Sequence, residues 1–220
     1  MRIELCRIET TNLLHGLAKY QQRMEAQLQA IQQEQSKEME ALEAAHQDEP
    51  WLIEGEIEGY IWTYDFFFPR SLRYSFIVHL FLTIENQLYG LCDEIKKRQN
   101  LPIRAKELSG DAIAKCKTYI QKVAGIATVN EVLWQKIEDL AKVRNCIVHT
   151  LGKIEFSNDR KRLHDLSAKD IGISISEDYP SEKGVLLVAP EFCKQAVDDA
   201  MELFDEIFEA AGFDRAAFIY

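Results

Sequence analysis

The five cysteines, Cys6, Cys92, Cys116, Cys146 and Cys193, are scattered, odd in number and without a C-x-x-C pair. That excludes a disulfide framework and a structural zinc site as the organising device. No group of His, Asp and Glu has the spacing of metal ligands, so neither a metal nor another cofactor is expected. No run approaches the roughly eighteen apolar residues of a membrane span. The N-terminus has no apolar signal core. The expectation is a reduced, cytoplasmic chain with no membrane partner. Net positive charge is also missing, because 26 Lys and Arg stand against 36 Asp and Glu. A balance of −10 excludes a general coat for nucleic acid, whose affinity comes from neutralising phosphates. It does not exclude a local basic patch.

Glycine and proline are absent from Ile8 to His46 apart from Gly16, and Gln, Glu, Ala and Leu dominate. Heptad positions a (Leu14, Gln21, Leu28, Gln35, Leu42) and d (Leu17, Met24, Ile31, Glu38, Ala45) are apolar at seven of ten places. The spacing predicts a long N-terminal helix over 1–48 that packs along a bundle or pairs with a second copy. Asp48-Glu49-Pro50 stops it. The aromatic stretch from Trp51 to Phe68 reads as a short helix or turn that plugs its rings into the core.

Pro69 at an early helical position opens a long, largely apolar helix reaching Lys97, with His79, Glu85 and Asn86 as its polar exceptions. Ser109 looks like the N-cap of a helix from Gly110 to Val123, with Gly125 after it. Asn130 caps the next helix and Gly152 stands at its C′ position. Residues 153–170 read as irregular. Gly172-Ile-Ser-Ile-Ser and Gly184-Val-Leu-Leu-Val-Ala read as a small β-hairpin in an insertion over 153–190. Pro190 opens the last helix, 191–212, which Gly212 ends. The whole is a mainly all-α single domain, 1–220, whose core helices span 69–152.

The helix from Asn130 ends in Ala141-Lys-Val-Arg144-Asn145-Cys-Ile-Val-His149-Thr. Leu133, Ile137, Leu140, Val143, Ile147 and Val148 form its buried stripe, leaving Arg144, Asn145 and His149 to face a cleft or a partner. Asn145 and His149, four apart, share a face; Arg144 and His149 are separated by about 140° around the helix. Without a metal, RNA is cleaved by its own 2′-hydroxyl. That needs a group that moves protons near neutral pH and a cation for the charge on phosphorus. Imidazole and guanidinium supply these.

Arg144-Asn145-x-x-x-His149 in this helical setting resembles the Arg-x4-6-His signature of the HEPN superfamily, small helical bundles that include many metal-independent endoribonucleases of toxin and phage-defence systems. The resemblance implies catalytic roles for Arg144, Asn145 and His149, a homodimer with a composite site, RNA as substrate and an antitoxin protein as a possible partner. It equally admits an inactive relative that only dimerises or binds nucleotide or RNA. In toxins of this kind whose antitoxin is a nucleotidyltransferase, a Tyr two residues past the His is modified; here that position is Leu151, so that regulation is not expected. Two basic groups are candidate RNA contacts. One lies between Lys96 and Lys122, where eight basic residues face two acidic ones, and includes Lys96, Lys97, Arg98, Lys115 and Lys122. The other holds Arg160 and Arg162.

Overall fold

Gln, Glu, Ala and Leu lose little side-chain freedom in a helix, and in the computed structural model their stretch forms one, α1 (Arg2–Ala45). The structure describes residues 2–126, 130–177 and 183–213. After α1 come α2 (Glu54–Tyr60), α3 (Phe68–Gln99), α4 (Ala112–Thr118), α5 (Glu131–Thr150), α6 (Arg160–Ser167) and α7 (Pro190–Ala210). Strands β1 (Ile173–Ile175) and β2 (Leu186–Val188) pair antiparallel between α6 and α7. This is the expected mainly α bundle with a small hairpin before the last helix.

Four helices close a ring, with α1 against α3, α3 against α5, α5 against α7 and α7 back against α1. Polar cross-links give their directions. Thr10 Oγ1 donates to Gln87 Oε1 at 2.8 Å, while Arg73 holds Glu25 through two bonds of 2.9 and 3.0 Å. Contacts that advance along α1 thus retreat along α3. Arg7 pairs with Asp205 at 2.9 Å and Gln21 Nε2 reaches the Pro190 carbonyl at 3.3 Å, which makes α7 antiparallel to α1 as well. Leu14 and Leu17 of α1, Ile77, Leu80, Ile84 and Leu88 of α3, Leu133, Trp134, Ile137 and Leu140 of α5, and Leu203, Phe204, Ile207 and Phe208 of α7 fill the space between. The α1 seam is therefore used inside its own bundle in its first half, at Leu14 and Leu17, while no seam residue from Ile31 on is buried. Two arginines clamp the far end of α7. Arg7 donates to the Phe213 carbonyl at 2.7 Å, and Arg98 donates to those of Ala211 and Gly212 at 2.9 and 2.8 Å. Carbonyls that a helix end leaves without partners are thereby satisfied.

Several local expectations change. Pro69 stands in the first turn of α3 as expected, but the chain does not enter from a loop there, because Ile61–Phe67 is already helical in the wider π register and continues into α3. Phe68 N–H bonds to the Thr63 carbonyl, and Pro69 has no N–H for that of Tyr64. Gln32 Nε2 of α1 takes the free Tyr64 carbonyl instead, at 2.7 Å. The π turn thus lets the chain pass a proline without breaking. Asp111, not Ser109, caps α4, accepting from Ala114 N–H at 2.9 Å. The helical stretch reaches Val123 as expected, but over Tyr119–Val123 it takes the π register. The stretch 153–170 is not irregular: a 3₁₀ turn (Ile154–Phe156) and α6 bury Ile154, Leu163 and Leu166. Ile154, Phe156, Leu163 and Leu166 among many charges are too few to show a period. Of the aromatic stretch only Phe66 is buried, so the rings do not plug the core.

The end of α5 is the tightest point. Leu151 already takes the left-handed conformation, φ 51°, one residue before the expected Gly152, which follows at φ 84°. A Cβ at Gly152 would strike the Tyr74 hydroxyl and lie 2.8 Å from its Cζ. Tyr74 Oη donates to the Leu186 carbonyl at 2.5 Å, and Leu186 N–H donates to the Gly152 carbonyl at 2.8 Å. Helix end, central helix and hairpin meet there. Gly152→Ala should lower unfolding stability by roughly 2–4 kcal/mol in urea denaturation, from backbone strain plus the displaced ring.

Candidate functional site

Asn130 Oδ1 accepts from Val132 N–H at 2.9 Å and starts α5 as expected. Leu133, Ile137, Leu140, Val143 and Ile147 are buried. Val148 is not; it is exposed and leaves the stripe. Trp134 and Cys146 are buried instead, because α5 is covered on more than one side. Cys146 lies inside the Arg-to-His motif. Burial pushes its thiol above the ordinary range, against opposing hydrogen bonds to Thr150 and Ser157. A neutral thiol near pH 7 is a poor nucleophile.

Arg144 is half-buried with its guanidinium carbon 5.1 Å from the centre of the Phe81 ring on α3. Nη1 donates to Asn145 Oδ1 at 2.9 Å, and the buried Nε has no hydrogen-bond partner. Arg7, Arg73 and Arg162 are paired with Asp205, Glu25 and Asp139 (2.7 and 2.5 Å for the last), the exposed Arg98 is spent on the end of α7, and the half-buried Arg70 lies over the Phe66 ring at 4.6 Å. Arg144 has no carboxylate partner among the described residues. Asn145 is half-buried beside it, and His149 is exposed in the last turn. On one helix the Arg144 and His149 directions diverge by about 140°, so the Arg144 guanidinium lies toward α3 while the imidazole faces solvent. Val148, Leu151 and Phe156, all exposed and apolar, follow in the chain around His149.

The candidate RNA contacts divide by their internal partners. Lys96 Nζ reaches the Leu101 carbonyl at 2.5 Å, Lys97 pairs with Glu94, Arg98 clamps α7 and Arg162 holds Asp139. Lys122 and Arg160 are exposed, and Lys115 is half-buried. The α3 polar residues are not buried as a helix apolar on most faces implied: His79 and Asn86 are exposed, Glu85 half-exposed. Asn86 lines a groove of about 430 Å³ between α1 and α3 with Glu9 and Glu94. Phe81, the ring under Arg144, was invisible beforehand, since nothing in its sequence setting separates it from the other apolar residues of α3. Among the described residues no group of His, Cys, Asp or Glu is arranged to hold a metal ion, and no helix is long and apolar enough to cross a membrane.

No family model, curated protein or solved structure matches this chain.

Arg144 has a ring and an amide for partners, whereas Arg73 is locked to a largely buried carboxylate. Arg144→Ala should therefore cost at most about 1 kcal/mol, and Arg73→Ala roughly 3 kcal/mol or more, because it strands Glu25. Urea unfolding of the two variants measures the difference.

Proposed function

We propose that the chain is a metal-independent endoribonuclease of the toxin or defence type, acting as a homodimer at a composite site. The observation that carries the reading is Arg144, a half-buried guanidinium without a carboxylate among the described residues, at the rim of a helix whose last turn exposes His149. A cation kept unneutralised at this cost in desolvation suits an anion that arrives from outside. Phe81 and Asn145 hold it in place beforehand, which is what stabilising charge in a transition state requires.

In this reading the RNA 2′-hydroxyl attacks the adjacent phosphorus. His149 takes its proton or protonates the departing 5′-oxygen, and Arg144 neutralises the phosphorane oxygens. The products are a 2′,3′-cyclic phosphate and a 5′-hydroxyl. One chain directs Arg144 and His149 apart, so a second chain is needed to bring both kinds of group to one phosphate. Val148, Leu151 and Phe156 supply exposed apolar area beside His149 for an isologous contact. Leu151 in a left-handed conformation is costly for a branched side chain, and such strain collects at functional sites. Lys115, Lys122 and Arg160 are the RNA contacts of this reading, since Lys96, Lys97, Arg98 and Arg162 are engaged inside the chain. An antitoxin partner belongs to the same reading.

The same 140° divergence also favours a second reading, an inactive relative that dimerises or binds nucleotide or RNA without cutting it. Activity separates the two. The purified chain should cleave RNA in excess EDTA and leave cyclic phosphate ends, and a 2′-deoxy residue at the cut site should stop it. Arg144→Ala and His149→Ala should each reduce the rate at least about 100-fold, with helicity unchanged. RNA that binds but stays intact with the wild type would leave the binding-only reading.

A further inference from the structure

Beyond Glu25 the long helix outruns the bundle. The Pro190 end of α7 meets α1 near Gln21, and Glu25 meets Arg73, yet α1 continues to Ala45, roughly 30 Å further at 1.5 Å per residue. The chain returns through a 3₁₀ turn (Pro50–Ile53), α2 and the π turn, all packed on α1. From Gln29 to Leu52 no residue is buried, and none of the main core belongs to this arm.

The arm concentrates two surface properties. Trp51 (64% exposed), Leu52 (56%), Trp62 (41%), Phe68 (39%) and Phe67 (36%) present large apolar area. The Trp62 and Phe67 rings stack at 4.9 Å and 15°, a preformed platform, and Trp62 with Ile61 lines a groove of about 540 Å³ along Gly55, Glu58 and Gly59. From Glu38 to Pro69 there are nine Asp and Glu and no Lys or Arg, which leaves −1 for the rest of the chain. All nine carboxylates are exposed. Exposed aromatic groups inside a charged rim have the anatomy of a protein interface.

We infer that this arm is the docking face for a partner protein segment carrying lysines or arginines around one or two apolar anchors. Charge selects the occupant. RNA and an anionic membrane are repelled, and a second copy joined by a twofold axis would oppose nine carboxylates to nine. A basic segment gains steering and rim pairs from the carboxylates while its apolar anchor enters the groove beside Trp62. This inference is independent of the ribonuclease reading, since it uses none of Arg144, Asn145 or His149.

The probe is a synthetic amphipathic Leu/Lys peptide, compared with its Leu/Glu counterpart and an oligolysine, titrated into the full chain. Trp51 and Trp62 report through their emission, against Trp134, which is fully buried. The Leu/Lys peptide should bind, less tightly as salt rises, and more tightly than oligolysine; Leu/Glu should not bind. The double variant Trp62→Ala with Phe67→Ala, and the triple variant Glu54→Gln, Glu56→Gln, Glu58→Gln, should each weaken binding at least about tenfold, read by peptide anisotropy. Equal binding of Leu/Lys and Leu/Glu, unchanged affinity in either variant, or loss of a wild-type dimer in light scattering when the arm is altered would overturn the assignment.

Discussion

The arrangement at the end of α5 rests on one close approach, the Tyr74 ring against the backbone of Gly152. With no room for a Cβ, the helix must turn there, and it turns through Leu151 and Gly152 in succession. The same tyrosine hydroxyl donates to β2 at Leu186, whose N–H returns to the Gly152 carbonyl. Three separate elements are thereby tied within a few residues of His149. A helix end so fixed holds His149 in the last turn with its ring outward, and it forces the Leu151 side chain into solvent beside it.

Arginine usage divides the molecule into structural and unspent cations. Arg7, Arg73, Arg98 and Arg162 join distant segments through carboxylates or carbonyls. Such bidentate or multiple contacts specify register between helices, even where desolvation cancels much of their attraction. Among the described residues Arg144 makes no such bond between segments; it has a stacking contact with Phe81 and a bond to the adjacent Asn145. The acidic charge is also unevenly spread: the stretch from Glu38 to Pro69 carries nine Asp and Glu and no Lys or Arg, which leaves −1 for the rest of the chain, the motif helix included.

Periodicity and punctuation made much of this fold legible. The apolar stripe of α5 except Val148, the Asn130 cap, the Pro190 start and the hairpin before α7 all follow from local rules and stand as read. What escaped depended on partners distant in sequence. Pro69 follows a π turn within a continuous helix, and the Tyr64 carbonyl beside it is taken by Gln32, distant in sequence. The aromatic rings of residues 51–68 stay outside because α1 and α2 leave the bundle together, which no local pattern encodes. Val148 is exposed and Cys146 buried because a 3₁₀ turn and α6 cover one side of α5. At the candidate site the residue types and their spacing were readable, but the Phe81 stack and the missing carboxylate were not, since both require α3 beside α5.

The central claim is that Arg144 and His149 act together only across two chains. The most direct test follows specific RNA-cleaving activity and dimer mass over the same dilution series, with light scattering for mass. A composite site predicts that activity per chain falls in parallel with dimer dissociation. Monomers with undiminished activity per chain would contradict it.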